Sequence, residues 1–125
     1  MLTYTADDIF GIAESLERNG VRCYHLAAEG CAQESLRLLL SQLAEMEEAH
    51  RLRFHDLRTA PSGAADAENQ LYLQALADMH VFTMTEDAMA SFLQDASHDA
   101  VLEFAIAREK DSIVLYTMLQ ELLLP

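Results

Sequence analysis

The stretch Leu36-Arg37-Leu38-Leu39-Leu40-Ser41-Gln42-Leu43-Ala44-Glu45-Met46-Glu47-Glu48-Ala49-His50-Arg51-Leu52-Arg53-Phe54-His55-Asp56-Leu57 decides the fold. Leu36, Leu39, Leu40, Leu43, Phe54 and Leu57 recur with the period of an α-helix, and neither Gly nor Pro interrupts them. Glu47 and His50 stand where that apolar stripe should continue. Three residues apart, they share one helix face and can point at one ion. A charge on a buried face is strongly destabilising unless it is paired or bound to a metal, so the placement points to a metal site.

Upstream, Thr5 before Ala6-Asp7-Asp8 is an N-cap with acidic residues in the first turn, where they oppose the positive end of the helix dipole. The helix it opens runs to about Gly30, with Ile9, Ile12, Ala13, Leu16, Gly20, Cys23, Tyr24 and Ala27 along one line. Glu17 lies inside that line, beside Ala13 and Gly20, whose small side chains let another helix or an ion approach it. The break from Gly30 to Ser35 is short, so the second helix, residues 35–58, should return antiparallel to the first.

Downstream, Thr59-Ala60-Pro61-Ser62-Gly63 stops the second helix, and residues 64–70 read as a loop. Residues 71–77 read as a short helix and 81–84 as an irregular link. Thr85-Glu86-Asp87 opens a second short helix ending near Gln94, so 71–94 is a crossover between long helices. Asp95 to Asp99 is a polar turn in which Ser97 or Asp99 caps the last helix, residues 100–123. Its expected inner face is Leu102, Ala105, Glu109, Ser112, Ile113, Tyr116, Leu119 and Leu123. Glu109 is thus a third carboxylate within an apolar stripe.

A weak internal repeat links the two outer helices. Shifted by 92 positions, Ala13, Glu17, Val21 and Tyr24 fall on Ala105, Glu109, Ile113 and Tyr116. The two inward carboxylates therefore align, each with a Tyr two turns beyond it, where a phenol can steady a ligand by a hydrogen bond. The same shift carries Glu47 and His50 past Pro125, so a fourth long helix with its own Glu-x-x-His is expected to be absent from this chain.

Composition bounds the function. At 125 residues with 51% hydrophobic content, four Gly and two Pro, the chain reads as one all-α domain spanning 1–125, large enough to bury a core without disulfides. A net charge of −13 argues against nucleic acid and anionic membranes as partners and suits attraction of cations. Cys23 and Cys31 lack metal or redox spacing, which fits a reducing, cytoplasmic setting. The N-terminus has no signal-peptide pattern and no apolar run is long enough to span a bilayer. Gly-rich phosphate loops and nucleophile motifs are missing as well.

With 12 Glu and five His, one Glu-x-x-His arises readily by chance, and its value lies in position. Glu17, Glu47, His50 and Glu109 from three helices form an oxygen-rich ligand set that suits iron or manganese better than structural zinc. Asp95 and His98 have the same spacing but sit in a polar turn, and His25, His55, His80 and His98 read as surface or core histidines.

Three ordered blocks carry a family likeness: Glu17 to Tyr24, Glu47-Glu48-Ala49-His50 followed by Phe54, and Glu109 to Tyr116. In these the chain resembles the rubrerythrin-like branch of the ferritin-like superfamily, among its small members that lack a rubredoxin domain. The resemblance implies an antiparallel helical bundle, with Glu17, Glu47, His50 and Glu109 as ligands of iron, in a di-iron centre or with manganese or zinc in its place. It implies peroxide or oxygen chemistry or ferrous iron oxidation, with Tyr24 and Tyr116 supporting the ligands. Without Cys-x-x-Cys pairs the electron donor would be external, and a homodimer would cover the groove of the missing helix. The alternative is a helical interaction module that kept the bundle and lost the chemistry.

Overall fold

In the computed structural model, residues 5–58, 71 and 85–121 are described. The expected helix over 71–77 lies outside them apart from a helical, exposed Leu71, and so do the stop and loop at 59–70, the link at 81–84, and Leu123. Four helices form among the described residues: α1 (Ala6–Gly30), α2 (Glu34–Leu57), α3 (Glu86–Gln94) and α4 (His98–Glu121). The fold is all-α, with no strand among the described residues.

Local chemistry sets the helix ends. Thr5 and Asp8 make a reciprocal capping box: the Thr5 amide donates to Asp8 Oδ2 at 2.9 Å and the Asp8 amide to Thr5 Oγ1 at 3.2 Å. Thr85 Oγ1 accepts from the Ala88 amide and opens α3. Ser97 Oγ accepts from the Ala100 amide, so α4 begins at His98, two residues earlier than the sequence pattern indicates. A Cβ at Gly30 would overlap the Gln94 side chain, which lets α3 close against the end of α1.

The core divides into two apolar clusters. One joins Cys23, Tyr24 and Ala27 of α1 to Leu36, Leu40 and Ala44 of α2, Met89 and Leu93 of α3, and Val101 and Ala105 of α4. The other joins Ile9, Ile12 and Leu16 of α1 to Leu115 and Leu119 of α4. The start of α1 thus meets the end of α4, and its end meets the start of both α2 and α4. Accordingly α1 runs antiparallel to α2 and to α4, while α2 and α4 are parallel, as a crossover between them requires. Each fully buried Leu, such as Leu16, Leu36 or Leu40, stabilises the bundle by roughly 1.5–3 kcal/mol.

The apolar line expected on α1 is buried throughout, from Ile9 to Ala27. The face expected on α4 is not. Leu102 and Ile113 are exposed, and the buried row is Val101, Ala105, Arg108, Ser112, Leu115 and Leu119. Apolar residues surround α4, so period alone cannot orient it, and the helix turns to bring Arg108 inward. No helix among the described residues is long and apolar enough to cross a membrane. Cys23 and Cys31 are buried free thiols, and burial pushes the Cys23 thiol up to about 11.

Candidate metal centre

Between the two apolar clusters lies a polar layer made of Glu17 and Gly20 from α1, Glu47 from α2, and Arg108 and Ser112 from α4, all buried. One ligand atom each from Glu17, Glu47, His50 and Glu109 lies within 4.8 Å of the other three. Glu47 is completely buried and Glu17 nearly so, whereas His50 and Glu109 are partly exposed. His50 therefore stands at the rim rather than on the deep face where its spacing put it. A cleft of about 170 Å³ lined by Glu17, His50, Arg53, Phe54, Glu109 and Tyr116 reaches the cluster from outside.

Each carboxylate has a distinct setting. Tyr116 donates its phenolic hydrogen to Glu17 Oε1 at 2.9 Å, and its ring meets Phe54 edge-on at 5.4 Å. Glu17 Oε2 faces His50 Nδ1 at 3.6 Å, too far for a direct hydrogen bond. Glu47 Oε2 accepts from Arg108 Nη1 at 2.8 Å. Glu17 Oε2 and Glu47 Oε1 are buried oxygens with no hydrogen-bond partner among the described residues. Such orphaned acceptors are rare in folded proteins and mark a place where a cation or proton belongs.

Burial pushes the Glu47 carboxyl up to about 7, with the neighbouring Glu17 adding to the shift and Arg108 opposing it. Burial, then the adjacent Glu47, likewise pushes Glu109 up to about 7. The cluster thus holds protons close to neutrality, which a metal ion would displace on binding. Burial and the Glu17 charge also push the Tyr116 phenol up, so it stays a donor to that carboxylate.

Tyr24 is fully buried and packs edge-on against Phe104 at 6.4 Å, without a hydrogen bond to any of the four clustered residues. The two Tyr related by the 92-residue shift are therefore not equivalent. His25 and His98 are exposed, and the Asp95 and His98 pair joins no cluster of metal-binding type among the described residues. His80 lies outside the described residues.

Arg108 is the buried residue at this cluster that the sequence pattern does not reveal. Its side chain is 5% exposed, and Nη2 donates to the Leu16 carbonyl at 2.8 Å while Nη1 holds Glu47. The 92-residue shift places Arg108 on Leu16, a wholly buried core residue, and that correspondence was the available signal. Gly20 makes the room: a Cβ there would lie 2.6 Å from Glu47 Oε2 and 2.7 Å from Arg108 Nη2.

The chain matches no known protein family, no curated protein and no solved structure.

A second ionic cluster, also missed, surrounds Glu14. This buried carboxylate accepts from Arg18 and Arg58 at 3.2 Å and Arg51 at 3.4 Å, with His55 Nδ1 at 3.2 Å. Its cue was the basic row Arg51, His55 and Arg58 on one face of α2. It clamps the last turns of α2 onto α1 and contributes no residue to the metal-type cluster.

Proposed function

We propose that this chain is a ferritin-like carboxylate metalloprotein in which Glu17, Glu47, His50 and Glu109 hold a redox-active metal. Iron is the favoured metal, with manganese as the redox-active alternative, and the work is peroxide or oxygen chemistry or ferrous iron oxidation. The observation carrying the reading is the pair of orphaned buried oxygens, Glu17 Oε2 and Glu47 Oε1, facing His50 and Glu109. Three carboxylates and one imidazole form a hard, oxygen-rich donor set, which fits iron and manganese. The parallel α2 and α4, joined by a long connection, support the ferritin-like assignment.

A bound metal of this class would supply electron transfer to oxygen or peroxide and a Lewis acid to polarise it. The protein's own part is to admit the substrate through the cleft at His50 and Glu109, to hold Glu17 in place through Tyr116, and to give up the protons of Glu47 and Glu109 as the metal binds. The external electron donor and the homodimer belong to the same proposal. The exposed Ile106 and Ile113, which line an apolar groove with Glu109, support the second of these.

A metal-free interaction module is the second reading, favoured by one observation: Arg108 already neutralises Glu47. Metal analysis of protein purified without chelators separates the two. Iron or manganese is expected to copurify, to raise the melting temperature when added back, and to be lost in Glu47→Ala and His50→Ala. Content below about a tenth of an ion per chain, with no melting shift on addition, overturns the metal reading.

A further inference from the structure

The buried guanidinium sets the site apart from a plain carboxylate cage. Arginine stays protonated at any pH a protein survives, so Arg108 brings a fixed positive charge into the polar layer. Both ends of the fork are engaged, Nη1 with Glu47 Oε2 and Nη2 with the Leu16 carbonyl, which within α1 also accepts from the Gly20 amide. The absence of a side chain at Gly20 leaves the space in which the fork sits. The arrangement is therefore built by three helices.

We propose that Arg108 occupies the place of a second cation, so that the site holds a single divalent ion between Glu17, Glu47 Oε1, His50 and Glu109 rather than a dinuclear centre. The inference rests on the metal reading above. Charge balance carries it. Three carboxylates and one guanidinium leave two negative charges, which one divalent ion cancels with His50 neutral. Two such ions would leave two positive charges in a layer packed between apolar clusters, and buried unbalanced charge is strongly disfavoured. Bundles that hold two metals supply four Glu and two His, whose four negative charges match two divalent ions. Geometry agrees, because Glu47 Oε2 is committed to Arg108 and only Oε1 remains to ligate, so Glu47 cannot bridge two metals.

The test titrates metal-free full-length protein with Mn²⁺ under excess Mg²⁺, which masks surface acids, and reads bound Mn²⁺ by equilibrium dialysis and its spectrum by electron paramagnetic resonance. The expected result is saturation at one Mn²⁺ per chain with the six-line signal of an isolated ion. Arg108→Met, which frees Glu47 Oε2 and removes a like charge, should bind its first ion about tenfold tighter and exceed one ion per chain. Arg108→Gln, which keeps a donor for the Leu16 carbonyl, gives the same readout if the methionine variant does not fold. Two exchange-coupled Mn²⁺ ions in the parent overturn this inference and leave the metal reading standing. Weaker binding in folded Arg108 variants also overturns it, because the guanidinium would then be a support for the ligands. No Mn²⁺ bound by the parent overturns the metal reading itself.

Discussion

Arg108 Nη1 lies 2.8 Å from Glu47 Oε2, joining α4 to α2 where both side chains are buried. A buried ion pair of this kind is costly to break from one side and cheap to replace whole. Glu47→Leu, measured by urea denaturation with metal chelated, should lose about 3 kcal/mol, because it strands the guanidinium. Glu47→Leu with Arg108→Leu should recover more than half of that loss. Equal stabilities for the single and double variants would show that the pair is not coupled.

The effect of a side chain at Gly20 should depend on its surroundings. In the parent, Gly20→Ala pushes a methyl against both partners of the pair and should destabilise by about 1–2 kcal/mol despite the better helix propensity of Ala. In the Glu47→Leu, Arg108→Leu background the obstruction involves different atoms, and relief of the glycine entropy should shrink the loss or convert it to a gain of about 0.5 kcal/mol. Denaturation midpoints of the four proteins check this.

The metal-free protein should lose stability as pH rises through neutrality. Glu47 and Glu109 keep their protons up to about 7 in the fold but release them near 4.5 once unfolded. Between those values the unfolded chain binds fewer protons, so this contribution is complete below about 4.5 and lost as pH climbs through 7. The melting temperature should fall on the order of 5 °C between about pH 5 and pH 8, and Glu47→Gln should flatten the slope. Saturating Mn²⁺ should reverse the trend, because the ion binds the deprotonated carboxylates.

Tyr116→Phe removes one hydrogen bond and retains the ring contact with Phe54. Without metal the loss should be about 1–2 kcal/mol, since a bond to a carboxylate is among the stronger kinds. Metal affinity should fall about tenfold, as Glu17 is no longer held in orientation. Calorimetric titration with Mn²⁺ reads the second effect, and unchanged affinity would show that Tyr116 serves packing alone.

How much could be read from the chain differs between helices for a physical reason. On α1 the apolar residues occupy a single stripe, so period alone identified the apolar inward positions from Ile9 to Ala27, with Glu17 among them, and passed over only the buried Glu14 beside the stripe. On α4 apolar residues occur all round, and the inner face became visible only once α1 and α2 were in place to receive Arg108. Glu47 and His50 share a face, yet the bundle buries the first and leaves the second at the cleft, because helix spacing fixes direction and not depth. For ion pairs between distant segments, such as Glu14 with Arg51 and Arg58, the chain displays the basic row but not the carboxylate that it meets.

The Glu14 cluster also changes how the net charge of −13 is distributed. Of eight Lys and Arg residues, Arg18, Arg51 and Arg58 turn onto this one buried carboxylate, and Arg108 is enclosed among three more. Half of the cationic side chains are thereby committed to internal partners, and the outer surface is left more one-sidedly acidic than composition suggests. Such a surface concentrates divalent ions around itself and draws them inward along its field, so capture by the cleft should slow as added salt screens that field.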